Sequence, residues 1–91
     1  MAIKAITTDS FRDDVLKTRK PVLIKFWAPW CGYCRALAPA LESIEKQYES
    51  LISVGCVNFD TETALVRRYN IHALPTLLLF INGAVADRPF L

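Results

Sequence analysis

Apolar residues are distributed along this chain in short runs and helical stripes that follow one another alternately. Four apolar runs predict strands, over residues 2–6, 22–27, 52–59 and 75–81. The second run is apolar at every position except Lys25. Such continuity is typical of a central strand that is covered on both faces. The pattern therefore predicts a sheet whose central strand is buried.

Between these runs the apolar period changes to that of a helix. A stripe with spacings of four, three and four residues consists of Leu37, Leu41, Ile44 and Tyr48. It predicts a long helix that begins near Cys34. A capping box at residues 10–13 predicts an earlier helix, and residues 61–69 predict a short later one.

The last part of the chain has the pattern of a hairpin. Asn82-Gly83 is a strong signal for a tight turn, and residues 84–91 are expected to return as the partner strand. Pro89 has no backbone N–H for a ladder, which places that strand at an edge. The order β-α-β-α-β-α-β-β predicts one α/β domain over residues 1–91.

Length, charge and hydropathy reduce the range of possible functions. A chain of 91 residues suits one domain, and apolar residues at 53% are enough for a core. The net charge of +2 is small and scattered, which argues against nucleic acid or an anionic membrane as a partner. No apolar run approaches the roughly 20 residues that span a bilayer. No signal peptide is visible at the start, so the expected location is the cytoplasm.

The cysteines supply the candidate chemistry. Their odd count of three argues against a disulfide scaffold. Cys31 and Cys34 form a C-x-x-C pair directly after a predicted strand, a spacing found in redox sites and in zinc sites. Zinc takes about four ligands, and the remaining candidates, Cys56 and His72, do not form a second pair. We therefore expect a redox pair and no metal, with Cys56 as an inert buried residue.

The two paired cysteines are expected to differ in role. Disulfide exchange needs a thiolate as the nucleophile. Cys31 lies at the predicted helix start, where free backbone N–H groups and the helix dipole favour an anion. Cys34 lies one turn further along. We therefore expect Cys31 to attack a disulfide and Cys34 to resolve the mixed disulfide.

Several segments resemble the thioredoxin family. Residues 26–35 read Phe-Trp-Ala-Pro-Trp-Cys-Gly-Tyr-Cys-Arg, and Ala38-Pro39, residues 74–80 and Asn82-Gly83 continue the match. The resemblance covers about residues 8–88. It implies a thioredoxin-like α/β fold, a central mixed sheet flanked by helices, that reduces protein disulfides through a dithiol cycle. It also implies disulfide-containing protein substrates, no bound cofactor, and a thioredoxin reductase as electron donor.

The resemblance assigns further roles around the cysteine pair. Pro75 matches the family's cis-proline, which lies beside the cysteines. The backbone of Leu74 would pair with an extended substrate segment. Trp30 and Gly32 would shape the apolar surface around the attacking sulfur. The expected substrate-binding residues are therefore Trp30, Gly32, Leu74 and Pro75.

The chain also departs from the family pattern. Tyr33 replaces proline within the C-x-x-C motif, which should alter the balance between dithiol and disulfide. The tyrosine is also similar to the Cys-Pro-Tyr-Cys of glutaredoxins, but the flanking tryptophans and Leu-Pro-Thr favour thioredoxin. Lys25 stands where thioredoxins carry a buried aspartate, and Cys56 where many carry a lysine. The expected redox-tuning residues are Lys25, Gly32, Tyr33 and Pro75.

The family continues beyond the position of Leu91 into a final helix. The fold expected here therefore lacks the usual C-terminal helix, and the sheet face left uncovered favours a dimer. A naturally short bacterial or phage protein and a truncated chain both fit. Two functional alternatives remain: an oxidase or isomerase, and a binding module in which the cysteines are incidental.

Overall fold

Five strands form one mixed sheet with helices on both faces in the computed structural model, which describes residues 3–89. The strands are β1 (Lys4–Ala5), β2 (Val22–Trp27), β3 (Ser53–Asn58), β4 (Thr76–Ile81) and β5 (Ala84–Asp87). The helices are α1 (Gly32–Gln47) and α2 (Thr63–Arg68), and a single π-type turn covers Arg12–Leu16. This order confirms the predicted alternation and the thioredoxin-like fold.

The run around Lys25 forms the middle of the sheet, as its continuous hydrophobicity predicts. The strand order is β1-β3-β2-β4-β5. β2 runs parallel to β3 and antiparallel to β4. Side chains alternate along a strand, so the residues of β2 contribute in turn to two separate cores.

The core on the α2 side of the sheet is built around aromatic side chains. Ile24 and Phe26 are fully buried in it. Phe11 and Tyr69 both contact Phe80, with ring centroids 5.6 and 5.2 Å apart in edge-on geometry. Such pairs contribute about 0.5–1.5 kcal/mol beyond the area they bury. These ring contacts join the residues just before Arg12 and just after α2 to β4.

The core on the α1 side is smaller. Its buried members are Leu23, Leu41, Val54 and Leu77. Leu37 and Ile44 of the predicted stripe pack against it. Tyr48 lies beyond the end of α1 and is 43% exposed, so its predicted place in the stripe is wrong.

The predicted capping box at residues 10–13 is also wrong. The Ser10 hydroxyl accepts a hydrogen bond from the Thr7 N–H at 3.0 Å instead of capping a helix. The helical turn starts at Arg12, after Phe11, and has no side-chain cap. A local turn between Thr7 and Ser10 thus competes successfully for the hydroxyl.

The predicted hairpin is confirmed at its turn, but its second strand is short. Asn82 and Gly83 have φ of 53° and 80°, as a type I′ turn requires. β5 is an edge strand and ends at Asp87, before the predicted end. Pro89 follows the strand, and residues 90–91 lie outside the described residues.

The α1-side surface of β4 becomes more exposed towards the hairpin. Leu77 is buried, Leu79 is half-buried, and Ile81 is 41% exposed. Within residues 3–89, α1 therefore covers the start of this face. The expected uncovered area is restricted to the end of the strand.

Candidate redox site

The cysteine pair lies where β2 leads into α1. Cys31 is the N-cap residue of α1, and its N–H donates a hydrogen bond to the Ala28 oxygen at 3.0 Å. Cys34 lies in the first helical turn and is joined to Cys31 by a disulfide, with the Cα atoms 5.3 Å apart. The site is thus beyond the carboxyl end of β2, where open α/β sheets concentrate their chemistry.

The helix end gives the two sulfurs different surroundings. The Cys34 N–H donates a hydrogen bond to Cys31 Sγ at 3.1 Å. The first turn of α1 carries no acidic residue that would offset the positive end of its dipole. Cys31 and Cys34 are similarly buried, at 5% and 2% exposure. Position on the helix, and not burial, therefore distinguishes their chemistry.

The Leu74-Pro75 peptide bond is cis, as the resemblance implies. Leu74 packs against the cluster that contains Cys31 and Cys34. Thr76 begins β4, and its hydroxyl donates a hydrogen bond to the Ala73 oxygen at 2.6 Å. The loop before β4 is therefore held beside the disulfide.

An exposed aromatic side chain lies next to the pair. Trp30 is 64% exposed, yet its indole N–H donates to both carboxylate oxygens of Asp60, at 3.2 and 3.1 Å. Its ring meets Phe59 edge-on at 6.3 Å. Phe59 and Asp60 were not predicted as site residues. The sequence could have indicated them, because both residues directly follow β3. Adjacent parallel strands end at the same edge of a sheet, so the end of β3 lies near the end of β2.

The two residues between the cysteines face outward. Gly32 is exposed, and a Cβ placed on it would have no neighbour within 4 Å. Tyr33 is 80% exposed. The protein itself therefore imposes no steric limit at Gly32, and the space above the motif is open.

A cavity of about 270 Å³ lies on the α1 side, with Cys34 in its wall. Lys25, only 8% exposed, and Cys56 line it from neighbouring positions of β2 and β3. The expectation that Cys56 is buried is wrong, since it is half-buried and borders this space, while its inertness stays a prediction. Burial raises the pKa of the Cys56 thiol, while the Lys25 charge and a hydrogen bond with Trp27 oppose that rise.

The predicted site residues thus have different surroundings, with Trp30 exposed and Pro75 following Leu74 through the cis bond. Cys31, Cys34 and Leu74 are packed together, whereas Gly32 and Tyr33 are displayed outward. The tuning candidate Lys25 lines the same cavity as Cys34.

Three other observations concern metal binding and membrane spanning. His72 is exposed in the loop before Pro75. Between Ile3 and Pro89 no three His, Cys, Asp or Glu side chains are grouped as metal ligands. None of the helices in that same part of the chain is long and apolar enough to cross a membrane.

Comparison with known proteins agrees with this geometry. The family model described as Thioredoxin matches residues 2–89. The chain is 39% identical over 87 residues to a thioredoxin of Porphyra purpurea, covering 96% of this chain and 81% of that protein. It is 42% identical over 86 residues to thioredoxin 1 of a Nostoc species, covering 94% and 80%. A thioredoxin of Thiocapsa roseopersicina is 45% identical over 78 residues, covering 86% of each. The chain therefore belongs to the thioredoxin family and is a thiol–disulfide oxidoreductase.

Proposed function

We propose that this protein reduces disulfide bonds in protein substrates, with Cys31 as the nucleophile and Cys34 as the resolving residue. The observation that carries the proposal is Cys31 at the N-cap of α1, with the Cys34 N–H on its sulfur at 3.1 Å. Both features favour a thiolate at Cys31 once the pair is reduced. The family match over residues 2–89 supports one domain that acts as a unit.

The cycle needs no bound cofactor. The Cys31 thiolate attacks a substrate disulfide, forms a mixed disulfide and releases one substrate thiolate. Cys34 then loses its proton and attacks Cys31 Sγ, which re-forms the Cys31–Cys34 bond and releases the second thiolate. Two electrons pass to the substrate, and a thioredoxin reductase is the proposed donor that restores the dithiol. Electron transport and redox homeostasis in the cytoplasm are the proposed setting.

The substrate would lie across the exposed end of the site. An extended segment would pair with the backbone of Leu74, while Pro75 offers no N–H of its own. The open space above Gly32 and the exposed Trp30 support this face as the contact surface. The hydrogen bonds to Asp60 hold the indole in place, so little side-chain entropy remains to be lost on binding.

Lys25 is proposed to tune the pair from beneath. Its place in the cavity wall with Cys34 supports this role. A protonated amine would stabilise a thiolate, and with it the dithiol form, which makes the disulfide a stronger oxidant. A neutral amine would instead accept the Cys34 proton as a general base. Tyr33 would add to the tuning, because it replaces the proline that restricts the first helical turn.

Self-association is a further proposal. The exposed Ile81 on the α1 side of β4 would contribute to a dimer through that sheet face. Sedimentation across a wide concentration range would show a rising mass if this holds. A mass that stays at one chain throughout would contradict it.

The direction of the reaction is tested by equilibration with glutathione. A potential near −270 mV, about the thioredoxin figure, fits a reductase, and one near −180 mV, about that of protein disulfide isomerase, fits an oxidant or isomerase. The measurement is paired with a rate of protein-disulfide reduction. A double variant without Cys31 and Cys34 that still binds a partner would favour the binding-module alternative.

A further inference from the structure

The cavity beneath the disulfide follows one stripe of α1. Cys34, Ala38 and Glu42 are spaced four residues apart on that helix, and all three line the cavity. The small side chain of Ala38 leaves room between the other two. Glu42 is exposed, so the space reaches the protein surface there. The cavity therefore connects Cys34 to solvent along the helix.

Lys25 is an unpaired cation in the wall of this cavity. It is 8% exposed, and the carboxylates of Asp13 and Asp14 bond other lysines. Within residues 3–89 no hydrogen bond or ion pair involves its ammonium, and Cys56 is the group on which its charge acts. The ammonium still reaches water, because within residues 3–89 it is not one of the fully buried polar atoms without a partner. An anion bound in the cavity would replace that water.

The charged side chains that line the cavity with Lys25 do not pair with it. Arg35 lines the cavity but uses its guanidinium to donate to the Pro29 oxygen at 3.0 Å. Glu42 lines the cavity, is exposed, and forms no ion pair with Lys25. Apolar atoms form most of the remaining wall. The cavity thus combines an apolar interior with the Lys25 ammonium, which has no protein partner within residues 3–89.

We propose that this cavity binds a small apolar carboxylate, whose anionic group pairs with Lys25 and whose hydrocarbon part fills the space beside Ala38. Pockets for drug-sized ligands measure roughly 300–1,000 Å³, so about 270 Å³ suits a smaller molecule. A ligand of about ten non-hydrogen atoms or fewer meets that limit. An ion pair that excludes water is stronger than one at the surface.

The bound anion favours the disulfide form of the protein. It would lie beside Cys34 and would remove the Lys25 charge that stabilises a thiolate there. The dithiol form therefore binds the carboxylate less tightly. By linkage, the carboxylate makes reduction of the disulfide less favourable by the same factor.

Binding is tested with benzoate and its neutral isostere benzamide, followed by NMR shifts of the disulfide form. We expect saturable benzoate binding with a Kd of the order of 1 mM. Benzamide should bind at least about tenfold more weakly. Equal binding of the two probes, or no benzoate binding up to about 10 mM, would overturn the proposal.

Variants locate the site. Lys25→Met should reduce benzoate affinity to that of benzamide, whereas Arg35→Met, which removes an exposed cation of the same cavity, should change it by about twofold or less. Ala38→Leu keeps both cations and fills the space, so it should abolish binding. Glu42→Gln should leave affinity unchanged or increase it. The site would be contradicted if Arg35→Met lost benzoate binding and Lys25→Met kept it. It would also be contradicted if benzoate bound only to the Glu42→Gln variant.

The redox link is tested separately. The reaction of two glutathione molecules with the protein disulfide, giving glutathione disulfide and the dithiol, is brought to equilibrium with and without saturating benzoate. We expect benzoate to lower the equilibrium constant for reduction by about threefold or more, with no effect in Lys25→Met. An unchanged constant with binding intact would overturn the redox preference. Neither measurement depends on which protein substrates the enzyme reduces.

Discussion

The two faces of β2 have different surroundings. On the α2 side, Ile24 and Phe26 are fully buried among apolar and aromatic side chains. On the α1 side, Lys25 lies between them in sequence but borders a cavity shared with Cys34 and Cys56. One strand therefore separates a close-packed core from the chemical environment of the disulfide.

The difference between the two faces predicts different effects of substitutions on each face. Side chains at adjacent positions of β2 enter different surroundings because a strand alternates its side chains between its faces. Substitution of Ile24 or Phe26 on the α2 side should act mainly on stability, since neither residue belongs to the cluster that contains Cys31 and Cys34. Substitution of Lys25 on the α1 side should act mainly on redox chemistry, because Lys25 lines the cavity that Cys34 also lines.

The largest effect is expected from the cysteines themselves. Cys31→Ser should slow reduction of a protein disulfide by at least about a thousandfold, because the nucleophile is lost. The unfolding free energy of the reduced protein should change by about 1 kcal/mol or less. Cys34→Ser should accumulate a mixed disulfide, detectable by mass spectrometry. A trapped substrate in Cys31→Ser, with none in Cys34→Ser, would reverse the two assignments.

Substitution of Phe26 is expected to have the opposite effect, because it should change stability and not redox chemistry. Phe26→Ala removes a fully buried ring from the α2 side and should cost about 3–5 kcal/mol in unfolding free energy, measured with denaturant. If that variant does not fold, Ile24→Val should still lose about 0.5–1.5 kcal/mol. The redox potential of the folded Ile24→Val protein should match the parent. A shifted potential would show that the two sides of β2 are not independent.

A smaller effect is expected from Lys25. Lys25→Met keeps the bulk of the stem and removes the amine. It should therefore raise the thiol pKa of the reduced cysteine pair and make the redox potential of that pair more reducing. Resolution of the mixed disulfide should slow by about tenfold if a neutral amine takes the Cys34 proton. Stopped-flow thiol kinetics and glutathione equilibria measure these quantities, with Arg35→Met as the matched control. Unchanged values for all three would leave Lys25 a structural residue.

The smallest effects concern the pH dependence of stability. The Lys4 hydrogen bond holds the pKa of Asp14 below its ordinary value of 3.8, so the stability it contributes is present above that pH and is lost as the pH falls through the folded pKa. Burial raises the pKa of Cys56 above 9.0, so its contribution is present below that pH and is lost as the pH rises through the folded pKa.

Two variants separate these contributions. Asp14→Asn should flatten only the acid limb of a plot of unfolding free energy against pH, and Cys56→Ala only the alkaline limb. The ion pair with Lys4 is partly exposed, which keeps the acid effect small. An alkaline change in Asp14→Asn would indicate coupling between the two sides of the sheet.

Local patterns determined much of this protein in advance. The continuous apolar run around Lys25 predicted the central strand, Asn82-Gly83 predicted the hairpin turn, and the C-x-x-C spacing at a helix start predicted the disulfide. These features depend on side-chain periodicity and backbone preferences within a few residues. A single sequence displays both directly.

Tertiary structure decided what lies around the sulfurs. The pairing of β2 with β3 brings Cys56 beside Lys25, and the ends of the same strands bring Asp60 to Trp30, 30 residues away in sequence. The competition of Thr7 for the Ser10 hydroxyl likewise overrode a local capping signal. Strand register and the room left by Ala38 depend on how distant elements pack, which no local pattern encodes. The cavity and its unpaired cation therefore became visible only in the folded chain.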